Sequence, residues 1–274
     1  VNLWHPDSGC DPRCLPVETP RVGAVRFAAR LAGAFGVLLL FVIIPKRAAL
    51  VQAVSRALLA VLGVKLRVRG KLRPGLLVAN HISWADIVVL MALDGRVRLV
   101  AKTEVGRWPL IGSLARRRRA IFIDRSAPRA LPGSVAQATA ALRAGDTVAV
   151  FPEATTSCGF CPTPVRPAFF QAALDAGVAV TPVTLAFTTA GEPSSVAAFV
   201  GVDTLVSSIA RIARSRGVEL TVTVAGRLFP EVGADRRALA RAAGAAFGTA
   251  RTHRGRVSVI PTRDISRIPV PLAA

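Results

Sequence analysis

The order of apolar and polar positions divides the chain into unlike parts. Residues 1–20 show no helical period, are rich in Pro, Cys and Asp, and lack the charged n-region of a signal peptide. A basic stretch follows with Arg21, Arg26 and Arg30. Leu31 to Ile44 then runs without a charge until Pro45-Lys46-Arg47 stops it. As a helix, that run rises about 21 Å, short of a hydrocarbon core of about 30 Å. Extension back to Val22 supplies the length but takes in Arg26 and Arg30, whose stems can snorkel. Basic residues at both ends give no orientation by the positive-inside rule. The favoured reading is a helix embedded in one leaflet and held by Arg to anionic lipid. A true span and an ordinary buried core helix are the alternatives.

Beyond Pro45 the periodicity alternates between helix and strand. Helices are predicted over Ala48–Leu62, Ala85–Leu93, Ser134–Arg143, Ala168–Ala176, Leu205–Arg214 and Asp235–Thr252, with a helix or turn over Trp108–Arg116. Strands are predicted over Val64–Val68, Gly75–Ala79, Val97–Ala101, Ile121–Ile123, Thr147–Phe151, Val178–Leu185, Val196–Val200 and Leu220–Val224. Such alternation predicts one α/β domain, a mixed central β-sheet flanked by helices. The expected organisation is a Cys/Pro-rich leader over 1–20, a membrane-associating helix over 21–47, a folded domain over 48–252 and a basic tail over 253–274.

Composition sharpens this picture. Of the 274 residues, 52% are apolar and the formal net charge is +20, at a mean hydropathy of +0.47. Disorder is excluded at that hydrophobicity. A chain both basic and apolar points to anionic partners, among them nucleic acid, lipid headgroups or acidic small molecules. Nearly all the cations are Arg; the Lys residues are Lys46, Lys65, Lys71 and Lys102. With no Tyr and 5% aromatics, the stacking platforms of a single-strand nucleic-acid binder are missing, and no nucleic-acid motif is present. An anionic membrane surface is therefore the expected macroscopic partner. A non-catalytic basic binder of membrane or nucleic acid remains the alternative from another class.

The cysteines fall in two pairs, Cys10/Cys14 and Cys158/Cys161. Their C-x3-C and C-x2-C spacings suit a tetrahedral zinc site if the fold joins them. Two unrelated thiol pairs, or disulfides, are the other readings.

Candidate chemistry concentrates in Asn80-His81-Ile82-Ser83-Trp84-Ala85-Asp86. The chain has three histidines, His5, His81 and His253, and the outer two lie in the leader and the tail. A base working near neutral pH is therefore placed at His81. On one continuous helix, residues five apart point about 140° away from each other. His81 and Asp86 meet only if the chain turns between them, with His81 at a strand end and Asp86 in the first turn of a helix. Asp86 would then fix the imidazole tautomer and leave the other ring nitrogen to take a proton from a hydroxyl. The bland alternative is a strand-capping His and a helix-capping Asp.

The same block, Asn80-His81-x4-Asp86, resembles the first motif of the glycerolipid acyltransferase family, of the 1-acylglycerol-3-phosphate acyltransferase type. Ile121-Phe122-Ile123-Asp124-Arg125 is similar to the second motif, whose Arg contacts the acceptor phosphate. Phe151-Pro152-Glu153-Ala154-Thr155-Thr156-Ser157 is similar to the third, usually F-P-E-G-T-R-S. Val180-Thr181-Pro182-Val183 is similar to the fourth, a V-x-P strand end. The resemblance covers roughly residues 50 to 225.

The resemblance implies transfer of a fatty acyl group from acyl-CoA, or an acyl carrier protein, to the free hydroxyl of lysophosphatidic acid, giving phosphatidic acid. Another lysolipid acceptor, such as one with an amino-acid headgroup, is the alternative within the class. His81 and Asp86 would be catalytic, and Asn80, Ser83, Arg125, Glu153, Ala154, Thr155, Thr156 and Pro182 would contact substrate. Glu153 would hold Arg125 or an acceptor hydroxyl, a structural turn carboxylate being the alternative. No cofactor and no catalytic metal are expected, and the expected location is the cytoplasmic face of the cell membrane. Backbone N–H groups around Glu153–Thr156 are candidate oxyanion donors.

Three departures stand out. Arg119 occupies the glycine position that usually opens the second motif, Ala154 the glycine of the third, and Thr156 its arginine. Ala154 allows close backbone approach only at negative φ. Arg116–Arg119 or Arg166 would have to replace the missing charge; a solvated or membrane-facing patch is the other reading of the Arg run.

Overall fold

The apolar run Leu76–Ala79 sets the centre of the molecule. In the computed structural model, which describes residues 6–45, 47–109, 111–161, 163–230 and 233–252, it forms a fully buried central strand. The expected basic tail over 253–274, with His253, and His5 in the leader lie outside the described residues. Leu76 and Val78 face one side of the sheet, Leu77 and Ala79 the other, as the two-residue period of a strand requires. Burying one such leucine contributes about 1.5–3 kcal/mol.

The elements follow in order. Helices α1 (Ala24–Ile43) and α2 (Ala48–Val61) precede β1 (Val64–Arg69) and β2 (Leu76–Ala79). Then come α3 (Ala85–Leu93), β3 (Arg98–Lys102), α4 (Thr103–Arg107), α5 (Ile111–Arg117) and β4 (Ile121–Ile123). After α6 (Leu131–Arg143) and β5 (Val148–Val150), α7 (Phe170–Ala176) leads into the long β6 (Val180–Thr189) and the short β7 (Glu192–Pro193). Helix α8 (Leu205–Arg214), β8 (Val218–Val224) and α9 (Arg236–Thr252) complete the described chain.

The sheet order is β1-β8-β6-β2-β5-β3-β4, with β7 paired to β6. From β6 through β2, β5 and β3 to β4 all neighbours are parallel, whereas β8 runs antiparallel to β6. The mixed α/β architecture expected from the alternation is the one observed. Helices cover both faces. One core gathers residues of α2, α3 and α8 over Leu77 and Ala149. The other gathers α6, α7 and α9 over Leu76, Val78 and Val150.

Two expectations need correction. Val196–Val200 is no strand. It is a buried irregular segment whose carbonyls find a side chain instead of a ladder: Arg211 Nε donates to Val196 O at 2.8 Å and Arg211 Nη2 to Ala198 O at 2.7 Å. Asp203 then pairs with Arg211 at 2.6 Å. An apolar run reads alike in the sequence whether a strand or a guanidinium satisfies its backbone.

The second concerns α1. The helix extends back to Ala24 and is 20 residues long, about 30 Å. Arg30 does not snorkel. Its Nη1 donates to Ala213 O at 3.0 Å and Ser215 O at 2.8 Å, closing the C-terminal end of α8. Arg214 in turn sits over the Phe27 ring at 4.4 Å. Ala34 and Phe41 are buried, while Phe35 (64% exposed), Leu38, Leu39, Leu40 and Ile43 (74%) remain open. This helix is docked on the domain along one side and apolar on the other.

Candidate active site

Parallel strands deliver their C-terminal ends to one edge of a sheet, where open α/β folds place ligands. Here that edge receives His81 after β2, Lys102 as the last residue of β3, Arg125 after β4 and Glu153 after β5.

The first turn combines one long-range anchor with a set of local bonds. Asn80 is buried where β2 ends, and its amide continues the ladder with a side chain: Nδ2 donates to Leu185 O at 3.0 Å, and Leu185 N donates to Oδ1 at 2.7 Å. The chain then turns, and α3 begins at Ala85. Asp86, fully buried in the first turn of α3, accepts three donors on one oxygen. Ile82 N lies at 2.6 Å, Ser83 N at 2.8 Å and His81 Nδ1 at 2.9 Å from Oδ2. The two backbone bonds hold the carboxylate in place, and the imidazole docks on it.

An ionised carboxylate only accepts, so the Nδ1 proton belongs to His81 and Nε2 carries the lone pair. The imidazole stacks on Phe151, ring centroids 4.0 Å apart at 16°, and the side chain keeps 19% of its surface accessible. A ring fixed by an acid on one nitrogen and by an aromatic face can accept a proton on the other without reorienting.

The second turn, Phe151–Ser157, is held from a distance. Glu153, 1% exposed, accepts the backbone N–H of His81 on Oε2 at 3.0 Å. Ser157 N donates to His81 O at 2.9 Å, so the two turns grip each other by both backbone groups of His81. Thr156 Oγ1 donates to Phe199 O, and Arg125 Nη2 donates to Ala154 O. Glu153 Oε2 thus serves the histidine backbone and braces the residue that carries the imidazole.

Ala154 has φ +58°, against the expectation of a negative value. Arg119, at the other glycine position of the resemblance, has φ +55°. The left-handed conformation survives at both places without the residue that adopts it freely. It costs about 1–2 kcal/mol at each.

Arg125 belongs to a cationic group. Burial pushes its pKa down; Glu104 opposes that, and the charge of Arg166 adds to it. Lys102, though much of it is accessible, is also pushed down, by desolvation first and by Arg125 second, with Glu104 again opposing. Arg166 is anchored by its own backbone, N to Pro152 O at 3.0 Å. Arg125 thus feels the charges of Glu104 and Arg166, and Lys102 those of Arg125 and Glu104, a setting in which cations outnumber carboxylates.

The expected contact residues separate. Arg125, Glu153, Ala154, Thr155 and Thr156 lie with His81 and Asp86 at the edge. Asn80 and Ser83 are fully buried and spent on the scaffold, Ser83 Oγ accepting from Ala85 N at 3.2 Å. Pro182 does not end a strand: it is the third residue of β6, buried opposite Val78. Its missing N–H is tolerated because pairing with β8 begins one residue later, at Val183. Phe151 and Lys102 were missed as site residues. Lys102 had one available signal, a rare lysine closing a strand in an Arg-rich chain. Of the Arg run, Arg116 Nη1 is committed to Gly106 O, and Arg119 O accepts from Arg98 Nε at 3.0 Å.

Comparison with known proteins shows the family and the fold. A family model described as Acyltransferase matches residues 65–186. The lyso-ornithine lipid O-acyltransferase of Pseudomonas aeruginosa is 36% identical over 202 residues, which is 70% of this chain and 76% of that protein. The 1-acyl-sn-glycerol-3-phosphate acyltransferase of Neisseria gonorrhoeae is 36% identical over 142 residues, 50% of this chain and 55% of that one. Among solved structures, the 1-acyl-sn-glycerophosphate (LPA) acyltransferase PlsC of Thermotoga maritima superposes with a TM-score of 0.61. That match covers 85% of this chain and 97% of the other at 18% identity, and speaks for the fold alone.

Proposed function

The chain belongs to the glycerolipid acyltransferase family, and from that premise we propose that it moves a fatty acyl group from a thioester donor to the free hydroxyl of lysophosphatidic acid. The observation that carries the reading is the imidazole held by Asp86 at the sheet edge that also receives Lys102 and Arg125. The acceptor phosphate binds Arg125, Lys102 and Arg166. Its hydroxyl then lies against His81 Nε2, which takes the proton as the oxygen attacks the thioester carbon. The tetrahedral intermediate collapses, the C–S bond breaks, and the imidazolium returns the proton to the departing thiolate. A thioester is already activated, so positioning and proton transfer suffice, and no acyl-enzyme is needed.

The oxyanion needs N–H donors. Ala154 N donates to Phe151 O and Ser157 N to His81 O, each a commitment made in the fold. The remaining N–H groups of this turn that suit the oxyanion are those of Thr155 and Thr156. Acyl-CoA or an acyl carrier protein supplies the donor, with no cofactor.

A second acceptor, a lyso-ornithine lipid, is favoured by the similarity to enzymes of that name and by Thr156, which stands in for a phosphate-clamping arginine. Glu104 would then face the headgroup ammonium. Incubation of purified protein with labelled acyl-CoA and both acceptors decides: phosphatidic acid as the dominant product supports the first reading, acylated ornithine lipid the second.

We place α1 in one leaflet of the cytoplasmic membrane face, its apolar side outward and its other side on α2 and α8. Residues 35, 39 and 43 share that outer side at four-residue spacing. Replacing Phe35, Leu39 and Ile43 together by Ser should move the protein from the membrane to the soluble fraction. Continued pelleting would mean that the membrane grips another surface.

A further inference from the structure

The segment before α1 is not a loose leader. It crosses the domain and buries Cys10 against the loop that follows the second active-site turn. Cys10, Cys158 and Cys161 present sulfur atoms that all lie within 4.8 Å of one another. Cys158 and Cys161 stand 3.6 Å apart. A tetrahedral zinc–sulfur centre with bonds of about 2.3 Å holds its sulfurs about 3.8 Å apart, whereas a disulfide would need about 2.05 Å. The backbone N–H of Cys158 donates to Cys10 Sγ at 3.3 Å, tying the sulfur of the N-terminal segment to the C-x2-C loop. Between Cys158 and Cys161, Gly159 takes φ +89°, which lets the C-x2-C loop curl its two sulfurs to one side. Cys14, four residues from Cys10, closes a short 3-10 turn (Pro12–Cys14) and packs on the same core. Its carbonyl is pinned by Ser195 Oγ at 2.6 Å.

We propose that Cys10, Cys158 and Cys161, with Cys14 as the fourth ligand, bind a structural zinc ion that clasps the N-terminal segment to the active-site loop. The proton balance is simple. Each thiol that coordinates releases one proton, so four sulfurs take one dication and liberate four protons to solvent. The Cys161 thiol is pushed up to about 12, first by its hydrogen bond with Cys158 and then by burial. A dication at the centre reverses that preference.

The clasp sits close to the chemistry without entering it. Gly159 packs on Ile82, the residue after His81; a Cβ there would stand 3.0 Å from Ile82 Cδ1. Ser157, immediately before Cys158, donates its N–H to His81 O. A metal at the four sulfurs would therefore restrain the loop that carries Glu153.

The test uses the full chain in detergent, purified under argon with a reductant and without chelator. Elemental analysis after incubation with equimolar zinc should give about one zinc per chain. Titration of metal-free protein with cobalt(II) should build thiolate-to-cobalt absorption that saturates at one equivalent, and this arm needs no mutant. Cys158→Ser should lower zinc retention at least tenfold. Cys14→Ser should weaken binding while keeping the other three sulfurs on the metal. Zinc removal should accelerate protease cleavage within residues 6–20. Four freely reactive thiols with no metal bound after incubation, or a Cys158–Cys161 disulfide in the purified protein, would overturn the site. Unchanged affinity in Cys14→Ser would overturn the assignment of that fourth ligand.

Discussion

Two turns meet at the catalytic edge, and they are built on opposite plans. In the turn after β2 the carboxylate–imidazole pair is assembled within six residues: Asp86 accepts from Ile82 N, Ser83 N and His81 Nδ1. The turn after β5 is held by partners far along the chain. Glu153 reaches His81, Thr156 reaches Phe199, and Arg125 reaches Ala154 O. The first turn orients His81 by its own residues and is anchored to the domain through Asn80 and the His81 backbone. The second is a clamp that becomes rigid only when the strands are assembled, and it includes Ala154 in the left-handed region. Chemistry that needs one fixed ring is placed on the locally determined element, and the distant bonds brace it from outside.

That contrast can be broken most sharply at the base. His81→Ala should lower turnover about 10²–10⁴-fold, the usual contribution of general acid–base catalysis, while membrane binding stays unchanged. Comparable turnover in steady-state assays would remove His81 from the role. Asp86→Asn comes next. The amide can present an NH2 to Nδ1 and favour the wrong tautomer, so kcat should fall about 10²-fold or more with little change in KM. A larger effect on KM than on kcat would mean that Asp86 shapes the acceptor site instead.

The second turn should answer more mildly. Arg125→Ala removes a charged donor worth about 1.5–3 kcal/mol, so KM for a phosphate-bearing acceptor should rise about tenfold or more. The same change measured with a neutral lysolipid should leave KM unaltered; equal effects on both acceptors would assign Arg125 to holding Ala154 O alone. Smallest is Ala154→Gly, which removes the left-handed strain. It should raise stability by about 1 kcal/mol in thermal melts. A lower melting temperature would show that the Ala154 methyl packs well enough to outweigh its backbone cost.

The sequence determined most elements and the His81–Asp86 contact. Periodicity located most strands and helices because burial on one face imposes a period of two or 3.6. His81 and Asp86 were legible because six residues suffice to build their contact. What the sequence left open was every feature whose partner lies far along the chain. Val196–Val200 read as a strand because apolar burial looks the same when Arg211 replaces a ladder. Asn80 read as a substrate contact, since only assembly reveals that Leu185 consumes its amide. Lys102 joined Arg125 only once β3 and β4 lay side by side. Arg30 looked like a lipid anchor until α8 presented its carbonyls. Local bonds are written in neighbouring letters; distant ones exist only after the chain has closed on itself, and the tertiary structure alone decides them.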